Sequence, residues 1–225
     1  MPSCLDSGKY GLALHTSTPQ LGLALSNFAG DTRSSTWDLG RDLSTHLHQH
    51  LTEFLKPQTW TNLAFIAVAK GPGSFTGTRI GVVTARTLAQ QLDIPLFAIS
   101  TLAAVAWSYS GGTHPHSQCL EGGEQKGIAL QMPAQRGQLF TGIYQVSPGG
   151  CALTQLLPDS VMTPNIWQQA LEALEMPYQL LDTPADLGTS TMSVLELAYL
   201  DWQQGKRPHW SEALPFYGQH PVESH

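Results

Sequence analysis

The period of the hydrophobic pattern changes along the first half of the chain. Short apolar or β-prone runs separated by turn-forming residues predict three strands of an antiparallel meander, and leucines at helical spacing then predict a helix that ends at Pro57. Continuous apolar runs further on are typical of strands buried on both faces. The predicted elements are strands at 10–14, 21–25 and 32–38, a helix at 43–55, a strand at 63–69, a helix at 76–92, a strand at 95–100 and a helix at 101–109.

This β-β-β-α-β-α-β-α order predicts an α/β fold with a mixed sheet flanked by helices. The order is that of the actin-like (ASKHA, ribonuclease-H-like) folds, which have two lobes. A Gly/His/Ser-rich stretch at 110–123 predicts a linker, after which a smaller, degenerate echo of the first half follows. We therefore predict an N-terminal subdomain at 1–109 and a C-terminal subdomain at 110–225. Its predicted elements are strands at 127–131, 139–146 and 152–157 and helices at 166–174 and 193–203.

The amino-acid composition argues against several classes of function. Only 12% of the residues are charged and the formal net charge is −6, which argues against autonomous nucleic-acid binding because that needs clustered Lys and Arg. The longest apolar run falls short of the ~20 residues that span a bilayer, and the N-terminus lacks a signal-peptide pattern. Three scattered cysteines, Cys4, Cys119 and Cys151, suit a reducing compartment. We expect a cytoplasmic protein that does not enter a membrane.

The sharpest motif lies between a predicted buried strand and a predicted helix. Its core is Gly71, Pro72, Gly73, Ser74, Phe75, Thr76 and Gly77. Glycines here allow a tight strand-to-helix turn, and a helix N-terminus could also bind an anion. The spacing fits neither a P-loop nor a dinucleotide fingerprint. Both the structural turn and the anion site stay open at this point.

The helix that follows this motif carries a row of small residues at every fourth position. The row consists of Gly77, Gly81, Ala85 and Ala89. Such a row allows close approach of another element, either inside the domain or in a partner chain, and Arg79 and Arg86 lie on a neighbouring face.

A metal site is a weaker alternative. His46 and His50 share one side of the 43–55 helix, yet Leu47 stands where an H-E-x-x-H motif has its glutamate. An amphipathic or partner-facing helix is therefore favoured. Asp159, Asp182 and Asp186 lie in turn-like sequence, where we expect them to be solvated. No catalytic constellation stands out.

The motifs together resemble the TsaB (YeaZ) family. The family stretch G-R-G-P-G-S-F-T-G-L-R-I-G is similar to residues 69–81 (AKGPGSFTGTRIG), and its L-A-x-x-T-S-T pattern to 12–18 (LALHTST). The family segment I-P-L-x-x-x-S-x-L-x-A is reproduced over 94–104. Parts of the R-x-H-S-E-x-L helix remain as Arg41, Ser44 and Leu47, and a trace of R-G-E-x-Y at 136–140. The resemblance is strong over residues 10–106 and faint after about 140.

The resemblance implies an actin-like, two-lobed protein without catalytic residues of its own. It implies a TsaD-like catalytic subunit as partner, a TsaE-like ATPase, and contact with tRNA through the complex, which forms threonylcarbamoyladenosine beside the anticodon of ANN-decoding tRNAs. A homodimer is implied as possible when the chain is alone. No cofactor is expected in this chain, and ATP and metal are expected on the partner subunits. The first two helices are implied as the partner interface, with Arg41, Ser44, Leu47, Gly77, Arg79, Gly81 and Ala85 as its predicted residues. On this resemblance we expect Gly81→Leu to weaken partner binding more than stability.

Three positions depart from the family pattern. His15 replaces the aspartate of D-T-S-T, Pro133 replaces that of the later D-A-R-R-G segment, and Thr45 replaces a glutamate. Losing both carboxylates weakens any claim to a bound metal nucleotide and favours a non-catalytic role. Two alternatives remain: an actin-like small-molecule phosphotransferase, for which His15 is unfavourable, and a metallopeptidase with His46 and His50 as ligands.

Overall fold

A computed structural model describes residues 5–6, 8–111, 126–147 and 152–218. All three cysteines and most of the predicted 110–123 linker lie outside these residues. The elements are strands β1 (Tyr10–His15), β2 (Gln20–Ser26), β3 (Thr32–Asp38), β4 (Leu63–Ala69), β5 (Leu96–Ile99), β6 (Gly127–Pro133), β7 (Leu139–Val146), β8 (Leu153–Met162) and β9 (Tyr178–Asp182), and helices α1 (Leu43–Leu55), α2 (Phe75–Leu92), α3 (Thr101–Tyr109), α4 (Pro164–Glu172) and α5 (Thr191–Gln203). The predicted order of the first half is confirmed.

The first sheet has the strand order β3-β2-β1-β4-β5. The three meander strands pair antiparallel, whereas β4 and β5 are parallel to β1 and to each other. Parallel neighbours need crossover connections, which α1 and α2 supply. The apolar run of β4 is buried because helices cover both of its faces.

The two faces of the first sheet have separate cores. Helices α1 and α2 lie on one face, where the α1 leucines at the predicted helical spacing join the sheet residues. Helices α3 and α5 pack on the opposite face, which has smaller side chains and the aromatic rings of Phe65 and Phe97. The alternation of β-strand side chains sorts the residues between these faces.

The second sheet repeats the topology of the first four strands on a smaller scale. Its order is β8-β7-β6-β9, with an antiparallel meander and a parallel β9 reached through α4. The predicted echo of the first half is thus present in the strand order. Strand β9 was not predicted, because its five residues lie at a sheet edge and most of them are exposed.

Helix α5 returns from the second sheet to the first. It packs on β1, β2 and β4, and the segment after it runs beside the edge strand, where the Leu96 amide donates to the Pro208 carbonyl over 3.2 Å. The division at residue 110 stays a prediction, and the structure adds that the last helix belongs to the core of the first sheet. No helix among the described residues is long and apolar enough to cross a membrane.

Candidate partner-binding face and inter-sheet cleft

The glycine-rich motif packs against the turn that follows β1. A Cβ atom added at Gly73 would lie 2.2 Å from the carbonyl oxygen of Ser17, and one added at Gly77 would lie 2.2 Å from that of Thr16. Side chains at these two positions would therefore collide with backbone. The motif brings two loops into contact, which supports its interpretation as a tight strand-to-helix connection.

The amides at the start of α2 are engaged in that contact. The Ser74 amide donates to the Ser17 carbonyl over 2.7 Å, and the Ser74 hydroxyl accepts from the Gly77 amide at 3.2 Å as the helix N-cap. An anion would have to displace these hydrogen bonds. The anion-binding alternative for this motif therefore loses its support.

The small-residue row of α2 faces the interior of the chain. A Cβ atom at Gly81 would lie 2.1 Å from the hydroxyl oxygen of Thr16, while Ala85 and Ala89 are fully buried in the core of α1, α2 and the sheet. Leu47 is buried in the same core. These positions are occupied by the chain's own packing, which corrects their assignment as direct partner contacts. The close approach of Gly77 and Gly81 is to Thr16, in the turn after β1.

The exposed members of the predicted interface lie on the outer side of the same helices. Arg41 and Ser44 are exposed near the start of α1, and Arg79 is exposed on α2. Two apolar side chains flank Arg79 at helical spacing, since Phe75 is 45% exposed and Val83 is 52% exposed. We define these five residues as the outer face. Val83 was missed at first, although the i, i+4 and i+8 spacing of Phe75, Arg79 and Val83 could have identified it.

The remaining interface candidate, Arg86, is tied to the C-terminal segment. Its guanidinium lies 5.9 Å from the ring centre of Trp210, and the ring of Phe75 lies 4.4 Å from that of Tyr217. The C-terminal segment therefore borders the outer face along α2.

The histidines of α1 do not assemble a metal site. The ring centres of His46 and His50 are 6.4 Å apart, and the ring centre of His50 lies 4.6 Å from that of Trp37. Within the described ranges no three His, Cys, Asp or Glu side chains form a group that could hold a metal ion. His46 is exposed and His50 half-buried, as expected at the edges of an amphipathic helix.

His15 is enclosed at the end of β1. The side chain is fully buried, and neither ring nitrogen has a hydrogen-bond partner. In the antiparallel β1–β2 pair, His15 lies opposite Gly22. A Cβ atom added at Gly22 would lie 2.4 Å from the carbonyl oxygen of Gly188, just before α5, so this side of the strand pair is closely covered. Burial lowers the pKa of His15 to about 4, so the ring is neutral at pH 7. The position where the family has an aspartate therefore carries no charge to attract a metal phosphate. The other departures, Thr45 and Pro133, are exposed.

A cleft of about 470 Å³ lies between the two sheets. Lys70, directly after β4, and Ser100, directly after β5, line it from the first sheet, and Tyr144 and Asp159 line it from the second. The Ser100 hydroxyl lies 3.1 Å from that of Tyr144, which donates to Asp159. Gln155 also donates to the Tyr144 hydroxyl, over 3.2 Å. These contacts link the two sheets.

Asp159 was expected to be solvated, and the structure corrects this. It lies within β8, and burial raises the pKa of its carboxyl group, against the lowering effect of hydrogen bonds from Ser100 and Tyr144 and of the Lys70 charge. Burial is also the main cause that raises the pKa of Tyr144 above its usual range. The cleft residues were missed because they come from distant parts of the chain. Asp182 and Asp186 are exposed, as expected.

The chain is similar in sequence to known proteins. The model of the family TsaD: tRNA N6-adenosine threonylcarbamoyltransferase matches residues 41–143. The tRNA threonylcarbamoyladenosine biosynthesis protein TsaB of Bacillus subtilis is 40% identical over 120 residues, which are 53% of this chain and 46% of that protein. The predicted resemblance to TsaB is confirmed. The chain spans about half the length of the curated TsaB relative that it matches.

Two solved structures are similar in fold to nearly the whole of this chain. YeaZ from Pseudomonas aeruginosa has a TM-score of 0.71 at 25% identity, over 93% of this chain and 100% of that one. A second structure, of an uncharacterized protein with similarity to peptidase YEAZ from Pseudomonas aeruginosa, has a TM-score of 0.73 at 23% identity and covers 94% and 100%. The predicted α/β class is confirmed: the chain has two mixed sheets flanked by helices, in a fold that it shares with these YeaZ structures.

Proposed function

We propose that this chain is a non-catalytic partner subunit that activates a TsaD-like catalytic subunit. The complex would form threonylcarbamoyladenosine at the adenosine beside the anticodon of ANN-decoding tRNAs. The observation that carries the proposal is the outer face, a pair of neighbouring helices whose buried sides are fully used by the first sheet and whose exposed sides present Phe75, Arg79 and Val83.

The chemistry of the outer face fits protein binding. Large apolar side chains half exposed on a rigid helix can fill pockets of a partner, and an arginine between them can pair with a carboxylate of that partner. The face belongs to helices whose inner sides are anchored in the largest core of the molecule. Such a face changes little on binding and therefore loses little conformational entropy.

The non-catalytic role rests on the absence of reactive groups at the positions where the family pattern has them. A neutral, enclosed imidazole stands at His15, and the glycine-rich loop uses amides of Ser74 and Gly77 for its own packing. We therefore place ATP and metal on partner subunits rather than on this chain.

The other partners follow from the same proposal. A TsaE-like ATPase would join the complex, and tRNA would be bound through the complex, consistent with a formal net charge of −6 on this chain. The outer face would support a homodimer when the chain is alone. A cytoplasmic location agrees with action on tRNA.

The alternatives have less support. A phosphotransferase would need a carboxylate near the first hairpin to hold a metal phosphate, and His15 stands there. A metallopeptidase would need a third ligand beside His46 and His50, and the described residues supply none.

The test is co-purification with a TsaD-like protein from the same genome. Val83→Glu places a charge on the outer face, and we expect at least a roughly 10-fold loss of affinity because the charge would be desolvated on binding. Ile166→Glu is the matched control, since Ile166 is an apolar α4 residue that is 53% exposed. Both variants should melt like the unchanged protein.

Two results would contradict the proposal. One is no association of the unchanged chain with the TsaD-like protein. The other is equal binding by the unchanged chain and Val83→Glu, which would move the interface away from the outer face.

A further inference from the structure

The inter-sheet cleft lies where open α/β sheets commonly bind ligands. Helix α2 follows β4 on one face of the first sheet, whereas α3 follows β5 on the opposite face. Neighbouring parallel strands whose connections leave to opposite sides form a crevice at their carboxyl ends, which is the usual binding position in such sheets. Lys70 and Ser100 are the residues directly after these two strands.

The charges of the cleft are of both signs and are only partly paired. Lys70 is half-buried, and among the described residues it donates no side-chain hydrogen bond and forms no ion pair. Lys206 also lines the cleft, but its ammonium is paired with Asp201 at 2.5 Å. A half-buried ammonium without a partner favours an anionic group in front of it.

The carboxylate of Asp159 lies across the same cleft. It accepts from Tyr144 and Ser100, yet a carboxylate has about four acceptor sites, so further donors can bind it. The charge of Lys70 acts on Asp159 although the two form no ion pair. A gap between opposite charges in a cleft of about 470 Å³ is suited to a ligand that carries both charges itself.

We propose that this cleft binds a small zwitterion of the α-amino-acid class, whose carboxylate pairs with Lys70 and whose ammonium pairs with Asp159. The apolar side chains of Ile99, Leu197 and Leu200 line the same space and would contact the ligand's side chain. A polyphosphate is disfavoured, because Asp159 would repel it and the charge of Lys206 is already paired with Asp201. This binding is independent of the partner proposal, since it uses neither α1 nor α2.

The experiment is calorimetric titration of the purified chain with each of the proteinogenic L-amino acids in turn. For every amino acid that binds, its N-acetyl and methyl-ester forms are titrated next, because each of them lacks one of the two charges. We expect at least one L-amino acid to bind and both of its modified forms to bind at least roughly 10-fold more weakly, the usual effect of losing a hydrogen bond to a charged group. Mg-ATP is the fourth probe.

Two variants locate the binding. Lys70→Met keeps the length of the side chain without its charge, and Asp159→Asn keeps the shape of the carboxylate. Each should weaken binding at least roughly 10-fold, whereas Lys56→Met, at an exposed lysine outside the cleft, should not. If Asp159→Asn fails to fold, Lys70→Met and the N-acetyl and methyl-ester forms of the amino acid still test whether both charges are recognised in the cleft.

Three outcomes would overturn the proposal: no L-amino acid binds, binding is the same in Lys70→Met, or Mg-ATP binds and Lys70→Met abolishes its binding. The last result would make the cleft a polyanion site.

Discussion

Gly81→Ala tests whether the small-residue row of α2 faces the protein's own interior. The added methyl group would lie 2.1 Å from the hydroxyl oxygen of Thr16 and 3.3 Å from its Cβ. Thr16 is fully buried, and its hydroxyl donates to the Gly77 carbonyl over 2.8 Å. Either this hydrogen bond breaks or α2 moves away from β1.

Three effects set the change in the free energy of unfolding that Gly81→Ala should cause. Overpacking costs about 1–3 kcal/mol, loss of the buried hydrogen bond costs about 1 kcal/mol, and the better helix propensity of alanine offsets about 1 kcal/mol. We expect the free energy of unfolding to fall by about 1–3 kcal/mol. For a chain of this size each kcal/mol lowers Tm by about 2–4 °C, so the fall should be roughly 2–12 °C.

Thermal and urea unfolding measure the effect, and binding to a TsaD-like partner is measured in parallel. Gln90→Ala, exposed on the same helix but not part of the outer face, is the control and should change stability by less than ~0.5 kcal/mol. Removing the obstructing hydroxyl with Thr16→Ala should make the double variant less destabilised than the sum of the single changes, with a coupling of about 1 kcal/mol.

An unchanged Tm for Gly81→Ala together with lost partner binding would refute this reasoning. That result would restore the row to the interface, where the sequence first allowed it. Gly81→Leu, for which we initially expected a loss of binding, should now lose more stability than Gly81→Ala because its side chain is larger.

Two further predictions concern buried polar groups. The pKa of His15 is lowered to about 4 in the folded chain, so below pH ~6.5 the unfolded chain binds the proton and the folded chain does not. Stability relative to His15→Leu should therefore fall by up to about 3 kcal/mol as the pH drops from 6.5 to 4; parallel urea-midpoint profiles for the two proteins would contradict a neutral His15. Trp107→Phe removes the indole N–H that donates to buried Glu196 over 2.7 Å, which should cost about 1.5–3 kcal/mol in chemical denaturation. The control is Tyr109→Phe, at a residue that is 50% exposed; equal stabilities of these two variants would show that the hydrogen bond contributes nothing.

Local patterns determined most of the first sheet. Apolar runs, turn residues and the leucine spacing of α1 each depend on a few neighbouring positions, and the structure has the predicted strands and helices there. The glycine-rich motif was also recognisable, because glycines between a buried strand and a helix have few structural explanations.

Only the tertiary structure decided what each surface faces. A row of small residues allows close approach to any neighbour, and the neighbour of Gly77 and Gly81 is Thr16, which lies 61 and 65 positions earlier in the chain. Asp159 looked solvated because its partners come from other segments: Tyr144 lies on the neighbouring strand β7, and Ser100 comes from the first sheet. Short, exposed β9 has too weak a pattern to be seen alone, and it forms because β6 offers a parallel neighbour. Side-chain periodicity specifies which residues share a face, but packing between distant segments determines what that face touches.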